Sequence, residues 1–136
     1  MPNFEPSPMK LWKWFMVISA AAIFIQILLA GLMFMGFTLL HTTFGHVIFF
    51  PLLITLILAW RQKAGRSALG LIGIIFVAYI VQAEVLGAFA SLDLAPTNLG
   101  LLAHGVNALV LYTLTLGVTV WALRRPDVKQ MTAVQA

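Results

Sequence analysis

Imidazole is the side chain in this sequence best suited to hold a metal. The chain has 136 residues, no cysteine and three histidines. His41 and His46 lie in the stretch LLHTTFGHVIFFP (39–51), and His104 follows much later in another apolar run. Without thiols there is no disulfide, iron–sulfur cluster, thiolate metal site or covalent c-type haem attachment. Metal chemistry here therefore rests on imidazole nitrogen, with carboxylate or thioether as the remaining options. Glu84 is the acid inside an apolar run, and ionisable groups placed inside membranes are costly enough to be functional candidates.

The rest of the sequence states where those groups must sit. It is 62% hydrophobic and 9% charged, with a mean hydropathy of +1.02. A soluble domain keeps about a quarter of its residues charged, so this composition is that of a membrane protein. Four apolar runs, at 11–36, 37–60, 67–91 and 98–123, are each long enough to cross about 30 Å of hydrocarbon as helices. The expected fold is an all-α, integral-membrane four-helix bundle forming one domain over residues 1–136.

Charge sets the expected orientation. Lys10, Lys13, Arg61, Lys63, Arg66, Arg124, Arg125 and Lys129 all fall at one end of the runs, which the positive-inside rule makes cytoplasmic. Both termini are then inside and the 93–100 loop outside. Trp12, Trp14, Trp60 and Trp121 mark the same interface. The high pI is thus a topology signal, and no nucleic-acid partner is expected.

The two halves of the chain repeat. His41 precedes Arg61 by twenty residues (61 − 41), and His104 precedes Arg124 by twenty (124 − 104). In the preceding runs, QILLAG (26–31) and QAEVLG (82–87) each set glycine five residues after glutamine. The pattern reads as two tandem helical hairpins, related by a pseudo-two-fold axis along the membrane normal. His41 and His104 are then equivalent, at one depth, on facing helices. Gly45 and Ala108 lie four residues on, one turn deeper on the same face. Paired histidines above small residues suit a flat macrocycle with two axial nitrogens, so His41 and His104 are the expected metal ligands. Gly45, Ala108, Gly31, Gly87 and His46 join them as candidate cofactor-binding residues. His46 is five residues past His41, about 140° around the helix, and cannot share its axial position. Histidines near membrane helix ends also serve as plain interfacial polar groups, and small residues as close-packing contacts.

LHTTFGH, together with ASLDLAPTNLGLLAHGVNALVLY (90–112), resembles one four-helix half of haem A synthase. It is also similar to small bacterial four-helix membrane proteins of unassigned function. The resemblance implies haem between histidines of the second and fourth helices, and a bacterial inner membrane as location. Thr38 stands where that family has glutamate and Thr42 where it has arginine, and the outer-loop cysteines are missing. The resemblance thus supports the scaffold and the pairing of His41 with His104, while the departures argue against the oxidative chemistry.

Other polar residues are secondary. Glu84 could meet a haem edge, a quinone head group or a neighbouring subunit, while Gln26 and Gln82 could link helices. Pro51 removes a donor from the second helix and should kink it near His46. Met33 and Met35 read as filler. No nucleotide loop, hydrolytic triad or carboxylate-rich metal motif is present, and the chain reads as an electron carrier or accessory subunit, with an enzymatic role left open. The leading expectation is a b-type haem protein in electron transfer near the outer face. A cofactor-free structural or assembly subunit of a respiratory or photosynthetic complex, and a subunit binding a chlorophyll-type pigment, are the alternatives.

Overall fold

A computed structural model describes residues 9–33, 35–88 and 97–125. The predicted outer loop as far as residue 96, and Lys129, lie outside the described residues. Among those described, four helices are long and apolar enough to cross a membrane: Leu11–Met33, Thr38–Arg61, Arg66–Leu86 and Leu99–Arg124. They match the four runs expected from composition. The first ends earlier than predicted, at Met33, because the chain turns at Gly36, whose φ of +91° a side chain would resist.

Five α-helical elements make up the spans. The first is α1 (Leu11–Met33), and the second span is divided into α2 (Thr38–Val47) and α3 (Phe49–Arg61). The third comprises α4 (Arg66–Ile80) and a π-helical turn, Val81–Leu86, and the fourth is α5 (Thr97–Arg124). The helix is interrupted at Ile48, three residues before Pro51 where a kink was expected, although the Ile48 backbone itself stays helical (φ −61°, ψ −25°). Proline offers no N–H to the carbonyl four residues back, and its ring crowds that turn. Thr55 Oγ1 donates to the Pro51 carbonyl at 2.7 Å. The π-turn carries no sequence signal of its own. Such turns often mark functional segments of a helix.

The first span packs on the second and fourth, and the third packs on the same two. The second and fourth spans therefore face each other diagonally across the bundle. Towards the basic end, Met16, Leu52, Ile72, Ile75, Ala59 and Ala122 close the interior. Four hydroxyls are buried there, and each turns back on its own helix. Ser19 donates to the Phe15 carbonyl, Thr115 to Leu111 and Thr119 to Thr115, as Thr55 does to Pro51. This satisfies them without water. Lys13 Nζ reaches the Arg125 carbonyl at 2.8 Å and ties the first span to the last.

The aromatic belt is only partly as expected. Trp14 and Trp60 face outward, whereas Trp12 packs into the core beside Met16. Burial also recurs at fixed separations. Met16 and Ile72 (72 − 16 = 56) and Ile23 and Tyr79 (79 − 23 = 56) are buried. So are Ile48 and Leu111 (111 − 48 = 63) and Ala59 and Ala122 (122 − 59 = 63).

Candidate functional site

The site lies at the end of the bundle away from the basic residues. Twenty residues of helix separate His41 from Arg61, about 30 Å along the axis. His41 comes from α2 and His104 from α5, the diagonal pair. Their ring centres are 6.3 Å apart, with planes inclined at 64°. Between and below them is a cavity of about 170 Å³. Gln26, Tyr79 and Gln82 from the other two spans complete its polar wall, with Ile23, Ile48 and Leu111 as apolar floor.

Each histidine is held through its backbone by a glutamine of a neighbouring span. Gln26 Nε2 donates to the His41 carbonyl at 2.9 Å, and Gln82 Nε2 donates to the His104 carbonyl at 3.0 Å. A carbonyl already used inside the helix gains a second donor, so the amide is spent on holding the two spans in register. Beyond that shared contact the halves differ. Asn107 Nδ2 donates to Gln82 Oε1 at 2.7 Å, while Gln26 Oε1 is buried without a partner. Gln26 Nε2 also lies 3.3 Å from His41 Nε2. Nδ1 of His41 and Nδ1 of His104 are both buried and unpaired. Three unsatisfied polar atoms around one cavity are unusual in a native interior.

Gly45 and Ala108 line the same cavity, as expected. A Cβ at Gly45 would stand 3.0 Å from Gln26 Nε2, so glycine here lets the amide reach past to His41. The other three candidates lie elsewhere. His46 is exposed on the outside of α2, where its Nδ1 lies 2.7 Å from the Thr42 carbonyl. Gly31 has open space where a side chain would be, and neither it nor Gly87 lines the cavity. Glu84 is exposed on the π-turn. Among the described residues no group of three or more His, Cys, Asp or Glu side chains is close enough to share a metal. His41 and His104 are the two imidazoles that the described residues bring together here.

Tyr79 and Asn107 are the contributors that sequence reasoning passed over. Tyr79 precedes Gln82 by three residues and Asn107 follows His104 by three, so both are one turn from a residue already marked. The Tyr79 hydroxyl donates to the Gly45 carbonyl and lies beside the Phe49 N–H. It thus sits in the helical ladder at the α2–α3 break, a recognised cause of such bends. Tyr79→Phe is expected to lower stability by about 1–2 kcal/mol through the unpaired carbonyl, read as a lower unfolding midpoint in detergent. An unchanged midpoint would show that the break is set by Pro51 alone.

Comparison of the chain with family models, with curated proteins and with solved structures gave no match.

Proposed function

We propose that the protein is a multi-pass b-type haem protein of a bacterial inner membrane, carrying electrons near the outer face, with His41 and His104 as axial ligands. The observation that carries this reading is the 6.3 Å approach of two imidazoles from diagonal spans. Two imidazoles that share one metal through nitrogens at about 2.0 Å have ring centres roughly 6 Å apart. Both rings also have a buried, unpaired Nδ1, and both backbones are braced by glutamine. The donor set fits haem. The cavity of about 170 Å³ is smaller than a whole porphyrin, and its wall includes Leu109, which is 59% exposed. Haem when bound supplies one-electron chemistry; the chain supplies axial nitrogens, apolar walls and fixed backbones.

The two hairpins are best read as a tandem duplication, each giving one ligand. The matching glutamine–carbonyl contacts and the recurrence of burial at separations of 56 and 63 residues support this. Haem titrated into purified protein tests the function. A Soret band with sharp α/β bands on reduction is expected, and the absence of any visible spectrum leaves the cofactor-free subunit. A red chlorin band in protein from its own source would instead favour a pigment. For orientation, cysteines placed at Ser91 and Gln62 are expected to differ in intact cells, with only the first labelled by an impermeant reagent. Preferential labelling at Gln62 would reverse the topology.

The cavity size itself favours a second reading. About 150 Å³ is enough for one benzene ring, so this volume admits a single six-membered ring. Its unpaired polar atoms, Gln26 Oε1 and the two imidazole nitrogens, suit a hydroquinone's hydroxyls. Saturable quinol binding that is unchanged by prior loading with haem would separate the two.

A further inference from the structure

We propose that the groove at the turn between the second and third spans is a binding site for an anionic phospholipid, with Arg61, Lys63 and Arg66 meeting its phosphate. The site is at the basic end of the bundle and is independent of anything bound between the histidines.

The turn is built around a strained residue. Where the second span ends, the Ala64 N–H donates to the Ala59 carbonyl at 2.9 Å and the Lys63 N–H to the Trp60 carbonyl at 3.2 Å. This pairing puts one residue in the left-handed region, a position usually given to glycine. Here that residue is Lys63, with a φ of +51°. Two residues on φ is again positive, and there the chain does use glycine, Gly65. A side chain in this conformation crowds its own backbone, so the lysine is kept against its local preference. Strain of this kind points to a use for the side chain.

The charge has a place to act. Lys63 lines an open groove of about 590 Å³ with Trp60, Arg61, Gly65, Arg66 and Leu69. Small-molecule sites fall in the range of about 300–1,000 Å³. Arg61, Lys63 and Arg66 are all exposed, and among the described residues no acid neutralises them. Glu84 is the acid of the described residues, and it lies eighteen residues along the third span from Arg66 (84 − 66), about 27 Å away. Other cations of this end are engaged within the chain. Lys13 Nζ donates to the Arg125 carbonyl, and the Arg125 guanidinium lies 4.1 Å from the centre of the Trp121 ring.

The groove opens onto the apolar belt, which favours a lipid over a free ion. Trp60 is 70% exposed, as suits an indole at a membrane interface. One turn further along the second span, Ile57 is exposed beneath Trp60 and Arg61. One turn along the third, Gly70 lies beneath Arg66 with open space where a side chain would be. An acyl chain has an apolar strip to follow while its phosphate stays with the three cations, the combination by which basic pockets between spans hold anionic head groups. A choline head group would bring its own cation towards the same three and be disfavoured.

The test is titration of the delipidated full-length protein, in neutral detergent, with phosphatidylglycerol or phosphatidylcholine, with bound lipid counted by native mass spectrometry. Phosphatidylglycerol is expected to bind at least about tenfold more tightly. A cation near the head group is worth about fivefold in affinity, so Lys63→Gly and Arg66→Gln should each weaken phosphatidylglycerol by about that factor. Arg124→Gln, at the same end but outside the groove, should not. Lys63→Gly also relieves the backbone strain and should unfold no more easily than wild type, so lipid lost there is not lost to misfolding. Equal affinity for the two lipids, or an equal loss in Arg124→Gln, means that general charge and not this groove holds the lipid, and overturns the proposal. Complete displacement of the lipid by millimolar inorganic phosphate overturns it as well, because the acyl chains would then contribute nothing.

Discussion

His41→Ala is expected to abolish stable haem binding. Loss of a supporting hydrogen-bond partner in a metal site typically costs about 10–100-fold in affinity, so loss of a ligand itself should exceed about 100-fold. The residue is also the buried member of the pair, and its removal leaves Gln26 with a backbone contact only. His104→Ala should lose the low-spin spectrum yet retain haem, and His46→Ala, at an exposed position, should leave the spectrum unchanged. Equilibrium titration of haem into each variant measures all three. Retention of a low-spin spectrum by His41→Ala, with its loss in His46→Ala, would overturn the assignment of ligands and move the site to the outer face of α2.

Leu52→Ala should carry the largest cost in stability. Leu52 has no exposed surface and belongs to the cluster formed with Met16, Ile72 and Ile75. Truncating a leucine in such a place costs about 2–5 kcal/mol, because the void collapses only in part. Ile57→Ala, on a side chain 44% exposed, should stay within about 0.5 kcal/mol of wild type. Reversible unfolding in mixed detergent compares the two. Equal losses would mean that the second span is rotated from the orientation described.

Much of this architecture could be read from the chain because the membrane admits few solutions. A run of apolar residues that must satisfy its own backbone becomes a helix, and Pro51 marks its own break. The approach of His41 to His104 followed from counting residues to the arginines. What could not be read depends on side chains crossing between spans. Gln26 and Gln82 look equivalent in sequence, and only the position of Asn107 shows that one is occupied and the other is not. Tyr79 carries no motif, and its meaning comes from the Gly45 carbonyl opposite. Gly31 and Gly87 illustrate the reverse limit. They match in spacing after Gln26 and Gln82, yet the face each occupies depends on helix rotation, which the π-turn at Val81–Leu86 alters in one span alone.

The way the four buried hydroxyls are satisfied has an electrical consequence. Ser19, Thr55, Thr115 and Thr119 each donate to a carbonyl of their own helix, and Met16, Leu52 and Ile72 fill the space between. Ser19 and Thr55 also approach each other at 3.5 Å across two spans, and Thr119 lies 3.4 Å from the Met16 carbonyl, so the hydroxyls use up one another's polarity within an otherwise apolar filling. It behaves as a dielectric plug beneath the cavity. In a bilayer, most of a potential difference across the span would fall over that filled half rather than over the cavity. A redox centre placed above it would keep nearly the same potential whether the membrane is energised or not.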